Sequence, residues 1–250
     1  MQSFDYTQDK NAKLWYGSAK QNRYLMRTIV HNLSKPPQKI NDYLSETRKS
    51  YDDPQIVREY WERKKDFINL RDLERMVAYL GRSGKVLDLG CGPGRDSRYL
   101  GSCGLFVIGI DYASSMISFA RRQHSSLKNV KFYKMDMHKL DFPDESFDGV
   151  WASASLLHIP KKELLAVLRE IHRVIRKKGI LYVHVKKGRG ERMLLDTGKY
   201  SKPVKRLFTF FTKRELERFL VDSGFTPISF DHSFFSDART EWIDVFCRKE

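Results

Sequence analysis

The run Val86-Leu87-Asp88-Leu89-Gly90-Cys91-Gly92-Pro93-Gly94-Arg95-Asp96 constrains this 250-residue chain more than any other. Three apolar residues around one acid read as a short buried strand. Glycines at 90, 92 and 94 exclude regular structure and bring bare backbone to a surface. A helical pattern restarts at Arg95 and reaches Leu100. Strand, glycine loop and helix in that order open a nucleotide-type α/β site, with the ligand at the carboxyl end of the first strand. Spacing narrows the ligand. A dinucleotide fingerprint needs its third glycine at 95, where Arg95 stands, and the Gly-Lys-Ser/Thr of a P-loop is absent.

From Gly81 onward strands and helices alternate, which predicts a mainly parallel sheet covered on both faces. Residues 105–110 form the second strand, ending in Asp111, and Ser114 is placed to cap the next helix. Strands at 130–133, 147–152 and 180–185 follow, with an amphipathic helix over 161–175 closed by Lys177-Lys178-Gly179. Thr212-Lys213-Arg214-Glu215 is a capping box. Residues 225–230 and 242–247 read as an antiparallel pair at the sheet edge, because no helix separates them.

Upstream, helices are predicted over 18–33, around Ile40, Tyr43 and Leu44, from Pro54 (capped by Asp53) to about 65, and over 71–80. Residues 1–80 are thus expected as an N-terminal helical extension or cap, and 81–250 as the main domain.

The formal charge of +15, from 46 Lys and Arg against 31 Asp and Glu, suggests an anionic partner. Between 161 and 218 eighteen basic residues face six acids, a net of +12 that is most of the excess. Three cysteines without CxxC spacing argue against a disulfide framework and against a zinc site. No secretory h-region and no membrane-length apolar run is present, so a soluble, reducing, cytoplasmic protein is expected.

The glycine loop resembles the first motif of class I S-adenosylmethionine (SAM)-dependent methyltransferases, in the broad small-molecule branch. Met135-Asp136-Met137 and the stretch from Leu140 to Val150 resemble that family's middle region. The resemblance implies a Rossmann-like α/β fold with a seven-stranded, mainly parallel sheet whose last strand is antiparallel. It implies SAM as cofactor, with S-adenosylhomocysteine as product, and no metal. The cofactor-binding residues it points to are Asp88, Gly90, Cys91, Gly92 and Gly94 around the loop, then Asp111, Tyr112, Met116, Asp136, Met137, Ala152 and Ser153. Asp111 suits the ribose hydroxyls, Tyr112 and Met116 suit the adenine ring, and Asp136 suits the adenine amino group. Cys91 reads as packing within the loop, not as a nucleophile.

The acceptor is expected beyond the fourth strand, in Trp151-Ala152-Ser153-Ala154-Ser155-Leu156-Leu157-His158-Ile159-Pro160. The Asn/Asp-Pro-Pro-aromatic motif of nucleobase amino-methyltransferases is missing there. His158, which titrates near neutrality, is the candidate catalytic residue, as a base or as a structural cap. Tyr60, Lys186, Arg189 and Arg206 are candidate acceptor contacts, and Tyr51 and Trp61 candidate lid residues; Arg239, Glu241 and Trp242 belong to the last strand. The reading favoured is methyl transfer to a polar, anionic small molecule. RNA, drawn to the basic 186–206 stretch, is the alternative acceptor, and a non-catalytic SAM-binding partner module is a third reading.

Overall fold

The computed structural model describes residues 40–234 and 240–250, all within one compact unit, 37–250. The helix expected over 18–33 and Arg239 lie outside the described residues. Three helices come first: α1 (Ile40–Tyr51), α2 (Pro54–Lys64) and α3 (Leu70–Leu80). Asp53 caps α2, its Oδ1 accepting the Gln55 N–H at 2.8 Å, as the Asp-Pro pair predicts. The alternation then begins: β1 (Lys85–Leu89), α4 (Arg95–Ser102), β2 (Phe106–Asp111), α5 (Ser114–Gln123), β3 (Val130–Lys134) and β4 (Phe147–Ser153). A short 3-10 turn, Leu156–His158, leads to α6 (Lys161–Val174) and β5 (Ile175–Lys186). The chain ends with β6 (Glu191–Asp196), β7 (Val204–Thr209), α7 (Lys213–Asp222), β8 (Phe225–Phe234) and β9 (Glu241–Lys249).

Seven strands form one sheet in the order β3-β2-β1-β4-β5-β9-β8. β1 to β5 are parallel; β9 is antiparallel to both β5 and β8. The expected mainly parallel sheet with an antiparallel last strand is therefore present. Side chains alternate across it. Leu87, Ala152, Leu181 and Val183 join one core with α6 and α7, whereas Val86, Trp151, Ile180 and Tyr182 join the other with α3, α4 and α5. The strand order reverses between β1 and β4, and in open α/β sheets that switch point places the ligand crevice at the strands' carboxyl ends. Among the described residues no helix is long and apolar enough to cross a membrane.

Within and beyond the basic 186–206 stretch, β6 and β7 pair as a separate antiparallel ribbon. Three local expectations are corrected. Lys177-Lys178-Gly179 does not close α6, because the chain enters β5 at Ile175, which pairs with Phe147; Lys178 then takes φ 62 where the register shifts. Ser114 makes no cap bond, and Asp52 instead accepts the Ser115 N–H at 2.7 Å. The capping box at Thr212 is half formed. Thr212 Oγ1 accepts the Glu215 N–H at 3.2 Å, but the Glu215 carboxylate turns to Lys161 Nζ at 2.5 Å.

Candidate active site

A cavity of about 590 Å³ opens at the carboxyl ends of β1, β2, β4 and β5, and α1, α2 and β7 close its other side. That volume suits a small-molecule site, for which roughly 300–1,000 Å³ is usual. The glycine loop forms its floor. After β1 the Gly90 and Cys91 N–H groups both donate to Ile110 O, at 2.8 and 2.9 Å, which pins the loop to β2. A Cβ on Gly90 would lie 2.5 Å from the Ser155 Cβ, so only glycine lets this loop meet the β4 end. Gly92 has φ 53 and open space where a Cβ would sit, with Met116 Sδ 4.0 Å away. Cys91 packs beneath the loop, and burial raises its thiol pKa well above the ordinary value, in keeping with a packing role.

Gly94 does not line the cavity. At φ 85 it caps α4, and a Cβ there would meet His124 and Phe132 at 2.8 Å, so this glycine serves helix packing. Ala152 is likewise corrected: its side chain is fully buried in the sheet core, and its neighbour Ser153 reaches the cavity instead.

Three carboxylates stand at three strand ends. Asp88 accepts the Ser97 hydroxyl at 2.6 Å; burial, with the neighbouring Asp96 charge, raises its pKa. Asp111 accepts the Gly92 N–H on one oxygen at 3.0 Å and the Ala113 N–H on the other at 2.8 Å. Burial still lifts it to about 6, because the two amide bonds only partly offset the desolvation. Asp136 behaves oppositely. Burial pushes it up, but His138, through its ring at 2.7 Å and its backbone N–H at 3.0 Å, and the Arg48 charge bring it down to about 2. His138 in turn reaches Glu163 at 3.0 Å, which fixes the carboxylate's orientation.

Tyr112, Met116 and Met137 line the same end as Asp111 and Asp136. Arg48, from α1, lies among them with its guanidinium carbon 3.6 Å from the Tyr112 ring centroid.

The opposite end is aromatic and basic. His158 Nδ1–H donates to Leu207 O at 2.6 Å, which leaves Nε2 as the acceptor of the Tyr51 hydroxyl at 3.0 Å. Burial lowers the His158 pKa to about 3; the Leu207 carbonyl opposes this and the Arg206 and Lys186 charges reinforce it. Arg206 donates to the Tyr51 oxygen at 3.2 Å, lies near the Tyr51, Tyr200 and Phe208 rings, and buries an Nε with no hydrogen-bond partner among the described residues. Lys186 Nζ sits 4.1 Å from the Phe208 ring centroid. Tyr60 completes the wall edge-on to Tyr51; Ser155 Oγ, beside Gly90, is buried with no hydrogen-bond partner among the described residues. Arg189 is corrected: it is exposed on the turn before β6, away from the cavity. Trp61 does reach the cavity but also packs on Phe119 and His124, while Glu241 pairs with Lys187 outside it.

Arg48, Tyr200 and the stacked pair His184–Trp242 were not predicted as a group. Trp242 is visible in sequence only as a strand residue, and nothing in the spacing of α1 marks Arg48 as facing a cavity. Asp244 holds His184 through Nδ1 at 2.6 Å, a buried pair between β5 and β9.

Residues 86–179 match the family described as "Methyltransferase domain". The chain is 32% identical over 157 residues to a 2-methyl-6-phytyl-1,4-hydroquinone methyltransferase of Synechocystis sp., covering 62% of this chain and 48% of that protein. It is 34% identical over 110 residues to the putative methyltransferase YqeM of Bacillus subtilis, covering 43% of this chain and 44% of that one. It thus spans about half the length of these curated relatives. A solved structure, the Burkholderia thailandensis 1,6-didemethyltoxoflavin-N1-methyltransferase with its acceptor and S-adenosylhomocysteine bound, superposes with a TM-score of 0.68 at 25% identity, over 87% of this chain and 93% of that one. Residues 86–179 thus carry a methyltransferase domain, and the strand order and glycine loop around it make the chain similar to class I SAM-dependent methyltransferases.

Proposed function

We propose that the protein transfers a methyl group from SAM to a polar, anionic small-molecule acceptor. One observation carries the reading: a single cavity joins the glycine loop and Asp111 at one end to Arg206, Lys186 and Tyr51 at the other. The cofactor fits the first end. Each Asp111 oxygen is held by one backbone N–H and keeps acceptor capacity for a ribose hydroxyl. Bare backbone at Gly92 leaves the room a side chain would take, and the Ser155 hydroxyl beside Gly90, without a partner among the described residues, offers a further hydrogen bond.

When bound, the cofactor supplies an electrophilic sulfonium methyl. The chain's own residues then have to align the acceptor. Arg206 is a buried guanidinium whose Nε has no partner among the described residues, and with Lys186 it favours a carboxylate or phosphate there. Tyr51 gives its proton to His158 Nε2 and takes one N–H from Arg206, so its oxygen keeps a lone pair for an acceptor donor. His158 is too weak a base, at about 3, to hold the acceptor's proton near neutrality. It acts as a positioning residue for Tyr51. Tyr51→Phe and His158→Ala are therefore expected to lower kcat by about tenfold or more with little change in SAM affinity. Unchanged kcat in either folded variant would contradict this role.

The test uses methyl-labelled SAM with a cell extract separated into small-molecule, RNA and protein pools. Label in the small-molecule pool is expected. RNA is the second reading, supported by the exposed Arg189, Arg192, Lys199 and Lys202 on and beside the β6–β7 ribbon. Label confined to RNA would replace the first reading by it, and SAM binding without label in any pool would favour a binding module.

A further inference from the structure

At the end of the cavity assigned to adenine, one protein side chain engages both groups that would receive the ring. Arg48 lies over Tyr112, its guanidinium carbon 3.6 Å from the ring centroid. Its NH2 donates to Asp136 Oδ2 at 2.5 Å. A guanidinium is planar and edged with N–H donors. An adenine presents the same two things, a flat π face and an exocyclic NH2. The aromatic ring and the acid that would receive an adenine are thus both engaged by one side chain.

We propose that Arg48 is a built-in mimic of the cofactor's adenine, a latch that holds α1 over the cofactor site and must be displaced when SAM or its product enters. The proposal rests on reading this cavity as the SAM site.

The surroundings are arranged for exchange. Asp136 Oδ1 is fixed by the His138 ring and backbone N–H, and only Oδ2 is given to Arg48. When Arg48 leaves, that oxygen is free and already aimed. The Arg48 side chain is 29% exposed, so it reaches water without uncovering core. The remainder of α1 is tied elsewhere. Thr47 Oγ1 accepts the Leu207 N–H at 2.9 Å, and the Ser50 hydroxyl donates to Lys205 O at 2.8 Å. These bonds run to β7, not to the cofactor end. Arg48 can therefore swing out while Tyr51, one turn further along α1, stays against His158.

The latch makes cofactor binding a competition. A half-buried cation–π contact and a half-buried ion pair together correspond to about fivefold in affinity. Isothermal titration with S-adenosylhomocysteine, and separately with adenosine, would compare the wild-type protein with Arg48→Ala and Arg48→Met. Thermal melting would show that both variants remain folded. Both ligands are expected to bind the variants about fivefold more tightly and to associate faster. Equal or weaker binding to folded variants, with the wild type still binding, would overturn the latch and leave the cofactor reading standing. No binding of either ligand to any of the three proteins would overturn the cofactor reading, and the latch with it.

Discussion

Asp111 and His158 sit in one cavity, and burial moves their protonation in opposite ways. Asp111 is lifted to about 6, so the folded state holds its proton more tightly than the unfolded chain does. Its contribution to stability is present below the ordinary carboxylate pKa and is lost as pH rises through about 6. His158 is lowered to about 3, so its contribution is present above the ordinary histidine pKa and is lost as pH falls toward 3. A ligand that donates hydroxyls to Asp111 needs the ionised carboxylate. Affinity for S-adenosylhomocysteine is therefore expected to weaken as pH falls through about 6, and titrations between pH 5 and 8 should show this in the wild type. The dependence should flatten in Asp111→Asn. An unchanged slope in that variant would place the hydroxyl-binding acid elsewhere.

Among the elements, the parallel strands and their helices were legible because each carries its own periodic signal and its own stop. The β6–β7 ribbon was not. Its sequence has no alternation, since Met193, Leu194 and Leu195 are consecutive and Leu195 is 60% exposed, while burial falls on Val204, Leu207, Phe208 and Thr209 of β7. Pairing across the ribbon makes those strands, and no local pattern announces it. The same holds for the site. The glycine loop and the acids at strand ends are local to β1, β2 and β3 and were readable. Tyr51 is a candidate lid residue from the sequence, whereas Arg48 and Tyr200 reach the cavity only through tertiary contacts of α1 and the ribbon. Arg189 and Arg206 look alike in sequence, yet one is on a turn and the other is enclosed by aromatic rings. Two element-level outcomes follow. Thr212→Ala, which removes the bond to the Glu215 N–H, should cost about 1 kcal/mol and lower Tm by roughly 2–4 °C in a melting curve. Gly94→Ala should cost more, about 2 kcal/mol, since φ 85 is unfavourable and its Cβ would strike Phe132 and His124; equal melting of variant and wild type would contradict the packing role given to Gly94.

For the molecule as a whole, the excess charge is divided by the fold. Arg206 and Lys186 line the cavity, while Arg189 and Arg192 remain outside. Reversing the outer pair, Arg189→Glu with Arg192→Glu, should leave small-molecule methylation within about twofold and reduce any RNA retention measured by filter binding. A large loss of small-molecule turnover would show that the division is wrong. The cavity unites these parts only if it holds the cofactor. The most direct measurement is a calorimetric titration of wild type, Asp111→Ala and Gly92→Val with S-adenosylhomocysteine. One equivalent should bind the wild type, with affinity about tenfold or more weaker in Asp111→Ala and no measurable binding to Gly92→Val, whose side chain would enter the open space at φ 53. Full affinity in both variants would contradict the account, because the cofactor would then lie outside this cavity.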